Sequence, residues 1–263
     1  MASRHGFGVS IHLLALVGAL LLLLPLLALL VGAPWPTAID VILDEHVVTA
    51  LELSLVSSLS ATVAATVLGL PLAWLLARVA LPAKSLLRGI VTLPMVLPPV
   101  VGGVALLLAF GRRGLVGAPL ATSLGISIPF TTVAVVIAET FVAMPFLVIT
   151  LEAGLRSMNV KFEEAARTLG ASRWTVFRRV TLPLIRPSLM AGAVLAWARA
   201  LGEFGATITF AGNLPGTTQT APLAIYIDLE SGRLPAAVLL SLLMATVSLA
   251  VLVALRGRYL QVD

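Results

Sequence analysis

Six stretches of the chain are apolar almost without interruption, at about residues 9–31, 53–77, 89–110, 130–151, 184–210 and 235–255, and polar residues gather between them. Crossing about 30 Å of hydrocarbon takes roughly 20 helical residues, so each stretch predicts one transmembrane helix. The first could be mistaken for a secretion signal, because Arg4 precedes it and Val31-Gly32-Ala33 looks like a cleavage site. Its apolar run exceeds the roughly 7–15 residues of a signal core, and Pro34 follows the would-be cut. It reads as a retained first span.

The third run, GIVTLPMVLPPVVGGVALLLAF, holds Pro94, Pro98, Pro99, Gly102 and Gly103. Helical hydrogen bonds must be broken there and re-satisfied by neighbours or water. A kinked packing helix with small-residue contacts and a pathway-lining role for Pro98, Pro99 and Gly102 both fit, and the clustering favours the pathway. Three charges lie deep in the runs: Glu139 in the fourth, and Arg199 and Glu203 in the fifth. Arg199 and Glu203 are four residues apart and face one side of a helix. They form either a structural ion pair or part of a polar route that Thr207 continues. Glu139 needs a partner from another helix or from water.

Composition settles the solvent. With 59% hydrophobic and 11% charged residues and a mean hydropathy of +1.09, this is an all-α, polytopic membrane protein. Cysteine is absent, which excludes disulfides and thiolate sites. The net charge of +5 reflects cytoplasmic loops and gives no reason to invoke nucleic acid. With the N-terminus inside, thirteen of the 17 Lys and Arg residues fall on the inner side, including Arg78, Lys84, Arg88, Arg156 and the run from Lys161 to Arg186; Arg112, Arg113 and Arg233 fall outside. That asymmetry puts both termini in the cytoplasm. Arg112 and Arg113, set between Gly111 and Gly114, are a candidate docking or anion-entrance point on the outer face.

No H-E-x-x-H, G-x-S-x-G or phosphate-cradling G-x-x-x-x-G-K-[ST] occurs. The adjacent Asp44, Glu45 and His46 project in different directions and read as a solvated loop, so no metal site is expected. Catalytic residues are likewise not expected, and any ATP used must bind another chain.

One polar stretch stands apart, EEAARTLGASRWTVFRRVTLP at 163–183. Asn159 can cap a short helix that Gly170 ends in a left-handed conformation, and Ser172 can cap a second that Pro183 and Pro187 restrict. Phe162, Ala166 and Leu169 form an apolar stripe beside Ala165. This predicts a helix-turn-helix knob on the cytoplasmic face, lying either on lipid headgroups or in a groove of a soluble partner.

Glu164-Ala165-Ala166, three residues, Gly170, nine residues, then Val180-Thr181-Leu182-Pro183 resembles the E-A-A loop of permease subunits of ATP-binding-cassette importers, with Val180 in place of Ile. The resemblance implies a type I importer permease fold and a loop, 157–183, that seats in a separate ATPase through Glu163, Glu164, Ala165, Ala166, Leu169, Gly170, Leu182 and Pro183. LPMVLPPVVGGVALLLAFGRRGLVG and ARALGEFGATITFAGNLPGTTQTAPLAIY are similar to the molybdate, tungstate and sulfate group of that family, and the GRRG and FAGNLPGTTQT stretches to its molybdate branch. The implied assembly has a second copy of this chain, a cytoplasmic ATPase dimer binding ATP and magnesium, and an extracytoplasmic oxyanion-binding protein. Residues 1–48 are then a first span and outer loop, 49–256 the permease core, and 257–263 a tail. An ion-coupled secondary transporter with Glu139 or Glu203 carrying a proton is the rival, and it leaves the 164–183 match unexplained.

Overall fold

A computed structural model describes residues 6–259, with side chains characterised for 11–253. Arg4, His5 and the 260–263 part of the tail lie outside the described residues. The chain is helical throughout its regular structure: α1 (Gly6–Gly32), α2 (Ala38–Ile42), α3 (Glu45–Arg78), α4 (Lys84–Val96), α5 (Pro99–Phe110), α6 (Gly117–Leu124), α7 (Thr132–Ser157), α8 (Lys161–Thr168), α9 (Arg173–Val176), α10 (Leu182–Leu201), α11 (Gly205–Phe210), α12 (Ala221–Glu230) and α13 (Leu234–Tyr259). Among the described residues, five helical segments are long and apolar enough to span a membrane, and α4 with α5 makes a sixth if that bent pair counts as one.

The core is a bundle of α3, α7 and α10. On α3, Ser57, Ala61, Ala65, Gly69 and Ala73 recur every fourth residue, and all are buried. Small residues at that spacing let helix backbones approach closely in lipid, where van der Waals packing drives association. A Cβ on Gly69 would lie 2.8 Å from a Leu147 methyl, so α7 rests directly on this stripe. Leu147, Leu151 and Leu155 of α7 then fill the space between Leu76 of α3 and Ile185 of α10. Most of α1 is exposed outside this bundle, with its contacts to α13.

Three expectations need correction. The third apolar run is two helices bent by 117°. Leu97 and Pro98 each precede a proline, which disfavours helical geometry, and both are extended, with ψ of 135° and 133°. The fifth run does not begin at residue 184 or reach Phe210 as one helix. It starts at Arg173 and ends at Leu201, and Phe210 belongs to the separate α11. Pro183 does not end the second loop helix either. Residues Phe177–Thr181 widen into a π-turn, with the Leu182 N–H donating to the Phe177 carbonyl, which carries the backbone past a residue without an N–H of its own. The second loop helix and the fifth span are therefore one rod.

Candidate functional site

The loop between α7 and α10 has the local geometry its residues dictate. The Asn159 side chain accepts from the Lys161 N–H at 3.0 Å, and Ser172 Oγ accepts from the Thr175 N–H at 3.2 Å. Gly170 sits at φ +82°, where a residue without Cβ is at home. Thus α8 is turned back against α9 by one glycine.

Two adjacent glutamates part company on α8. Glu163 is buried: Thr181 Oγ1 donates to it at 2.7 Å, and Arg78 Nη2 at the end of α3 is 3.8 Å away. Glu164, Ala165, Leu169 and Gly170 face outward, and Leu169 is 88% exposed. Ala166 is half-buried, Phe162 and Pro183 are exposed, and Leu182 packs on the core. Of the eight loop residues singled out, Glu163 and Leu182 bind the loop to its own chain. The outward surface is carried by Glu164, Ala165, Leu169 and Gly170, and among the described residues nothing covers the 88% exposed Leu169, an apolar side chain presented outward.

A second constellation lies where both broken runs meet. α5 packs against α11 so closely that a Cβ on Gly205 would be 2.6 Å from the Pro99 Cβ, and one on Gly103 would be 2.6 Å from the Thr209 Cβ. Glu203 lies in the break between α10 and α11, and its fixed position has two causes. Arg199 Nη2 pairs with its Oε2 at 2.6 Å, and its Oε1 accepts from the Ala206 N–H at 2.7 Å, capping α11. The anticipated Arg199–Glu203 pair forms, although the helix has already ended at Leu201. Thr207 is fully buried, and among the described residues its hydroxyl has no hydrogen-bond partner. Gly102 is buried against Phe141, whereas Pro98 and Pro99 are exposed at the bend.

Glu139 receives the partner it required from another helix: Ser57 Oγ donates to its Oε1 at 2.8 Å. Its second oxygen has no hydrogen-bond partner. Glu139 and Glu203 are both 1% exposed. Small polar groups on α3 therefore serve the interior as well as the packing, since Ser54 Oγ likewise accepts the Ala221 N–H at 2.6 Å.

At the end of the bundle opposite the loop, Arg112 and Arg113 are exposed on the turn between α5 and α6. Asp44, Glu45 and His46 are not a loop. Asp44 caps α3 by accepting from the His46 N–H at 2.9 Å, and Glu45 and His46 form its first turn. His46 Nε2 lies 3.7 Å from Asp228 Oδ1, which Arg233 Nη2 approaches to 2.6 Å. Asp228, fully buried, escaped the sequence reading; an aspartate inside the apolar stretch APLAIYIDLE with Arg233 five residues on was the available signal.

The arrangement is that of a membrane transport component: a polar, broken-helix interior between a two-arginine turn at one end and an apolar-faced knob at the other. The chain belongs to the binding-protein-dependent transport system inner membrane component family, which matches residues 65–259. It is 46% identical to the molybdenum transport system permease protein ModB of Mycobacterium tuberculosis over 94% of this chain and 93% of that one. Against ModB of Escherichia coli K12 the identity is also 46%, over 70% and 82%. The sulfate transport system permease protein CysT of E. coli K12 is 37% identical over 94% and 90%. The fold is that of a chain in a bacterial alginate ABC transporter crystallised with a pentasaccharide-bound periplasmic protein, with a TM-score of 0.75 at 19% identity, covering 99% of this chain and 97% of that one.

Proposed function

We propose that this chain is the permease of an ATP-driven molybdate importer, working as a homodimer with a cytoplasmic ATPase pair and an extracytoplasmic oxyanion-binding protein. The observation that carries the reading is the α8 knob, whose Leu169, Ala165 and Glu164 face outward while Glu163 is held by Thr181 and Arg78. An outward apolar face on a fastened base suits a surface that is pushed by a partner and moves a span. The 46% identity to ModB proteins over nearly the whole chain supports molybdate over sulfate.

ATP chemistry is assigned to the partner, with magnesium, and this chain forms no covalent intermediate. It would alternate between inward- and outward-open states, biased by ATPase closure at the α8 end and by docking near Arg112 and Arg113 at the other. The bends at Pro98–Pro99 and Gly202–Phe204 flank the tight α5–α11 contact and would let those two short helices shift together relative to α4 and α10. Along that route Gly102, Arg199, Glu203 and Thr207 would meet the dianion only transiently, because a strongly held ion would not leave. The test is co-purification with a soluble ATPase from the native membrane, then uptake of labelled molybdate in competition with sulfate and tungstate. Stoichiometric ATPase and preferential displacement by unlabelled molybdate are expected. Uptake that proceeds without an ATPase and collapses with an uncoupler would replace this reading with proton coupling.

A further inference from the structure

A cavity of about 710 Å³ opens between the lower part of α3 and the loop helices. One wall is apolar, formed by Val67, Leu70, Pro71 and Trp74 of α3, a helix long and apolar enough to cross the membrane. The floor is basic. Arg78, Arg167 and Arg173 line it, and the single carboxylate there, Glu163, is already engaged by Thr181 and by Arg78 at 3.8 Å. Nη2 of Arg78 faces Glu163 at 3.8 Å without a hydrogen bond, and the part of the Arg78 side chain that stays exposed, 16%, lies at the junction of the apolar wall and the basic floor. Trp174, 67% exposed, stands at the rim with Trp74.

We infer that this cavity is a binding site for one anionic phospholipid, its phosphate on Arg78, Arg167 and Arg173 and an acyl chain along Val67 to Trp74. Charge complementarity selects the headgroup: three guanidiniums face one committed carboxylate, and basic pockets beside membrane helices hold acidic headgroups. The apolar wall selects a lipid over a free anion, because a free phosphate would leave it uncovered. Trp74 and Trp174 both line the cavity, and rings of this kind prefer the boundary between hydrocarbon and water. A lipid there would brace α8 against α3, next to the Glu163 anchor, whichever oxyanion the protein carries.

The full-length chain is reconstituted in vesicles of phosphatidylcholine containing phosphatidylglycerol, with bromine on the acyl chains of one lipid or the other, and tryptophan fluorescence is read. Brominated phosphatidylglycerol should quench more strongly than brominated phosphatidylcholine. Trp74→Phe should remove much of that excess, and the exposed pair Arg167→Gln with Arg173→Gln should reduce it to parity. Equal quenching by the two lipids in the native chain, or an excess that survives the arginine replacements, would overturn the site. Loss of the excess on adding inorganic phosphate would make it an anion site without lipid. Weak quenching by both would show the cavity covered by protein, such as a second copy of the chain.

Discussion

Thr181 donates a 2.7 Å hydrogen bond to Glu163 across 18 residues of sequence, both groups buried. The bond joins α8 to the π-turn from which α10 rises without a break. On the proposed function, a displacement of the knob would thereby be delivered to a rod that ends at Leu201, two residues before Glu203. Removing the hydroxyl while keeping the shape should uncouple the two. Thr181→Val leaves the Glu163 oxygen short of a donor, which costs about 1–3 kcal/mol for a buried acceptor, toward the lower end because Arg78 remains near. We expect a lower Tm for the purified permease and a larger fall in uptake per ATP hydrolysed than in ATP hydrolysis itself. Thr181→Ser should restore both. A Val variant that couples normally would detach this bond from transmission.

The pair of Arg199 and Glu203 should show strong non-additivity. Arg199→Ala strands a carboxylate that is 1% exposed, whereas Arg199→Ala with Glu203→Gln removes the charge and keeps an acceptor for the Ala206 N–H. Breaking a buried pair costs about 3–5 kcal/mol, and less here because the Arg199 side chain is 28% exposed. The double variant should therefore fold better than Arg199→Ala alone, as read by the yield of folded protein on size-exclusion chromatography. Additive losses would show that the residues act separately. A double variant that assembles and does not transport would place the pair on the anion's route.

The spans were legible because hydropathy over about 20 residues is a one-dimensional signal, and the prolines of the third run showed that its helical hydrogen bonds must break, although not that it would split into two helices bent by 117°. Other features depended on side-chain contacts that hydropathy does not carry. Nothing local distinguishes Glu163 from Glu164; Thr181 and Arg78 decide which turns inward. The break at Gly202–Phe204 contains no proline, and its stabilising contact, Glu203 to Ala206 N–H, is a cap that only the folded chain reveals. The onset of the fifth span was obscured by Arg173, Arg178 and Arg179, charges that make the start of a membrane rod read as a separate short helix. Asp228 was passed over because its segment, α12, is only ten residues long, too short to register as a span.

Close approach of α5 and α11 makes a sharp steric prediction. A methyl on Gly205 would meet Pro99 Cβ at 2.6 Å and the Val100 nitrogen at 3.3 Å, a ring and a backbone atom that cannot rotate aside. Gly205→Ala should cost about 1–3 kcal/mol through overpacking and depress oxyanion uptake by holding the two broken helices apart. Gly202→Ala is the control, since its nearest neighbour would be 3.6 Å away. Thermal unfolding and uptake rates measured on both variants decide the matter; equal behaviour would mean that the α5–α11 contact is soft.

At Gly170 the steric and conformational effects separate cleanly. No atom lies within 4 Å of a Cβ built there, so a side chain has room, yet φ is +82°. The penalty for replacing it is therefore one of backbone conformation alone, about 1–2 kcal/mol for an L-residue in the left-handed region and greater for a β-branched one. Asparagine tolerates that region better. Gly170→Val should relieve the strain by changing the turn between α8 and α9, tilting Glu164, Ala165 and Leu169 away from the orientation they now share. Membrane insertion and the α3–α7–α10 core, which do not touch this residue, should be unaffected. We expect the Val variant to dimerise normally but to lose co-purifying ATPase, or to keep it while ATP hydrolysis no longer drives uptake, with Gly170→Ala intermediate and Gly170→Asn near the native protein. If Val couples as well as glycine does, the α8–α9 turn is not rigid, and the force on the fifth span enters through the Thr181–Glu163 bond without needing a fixed knob.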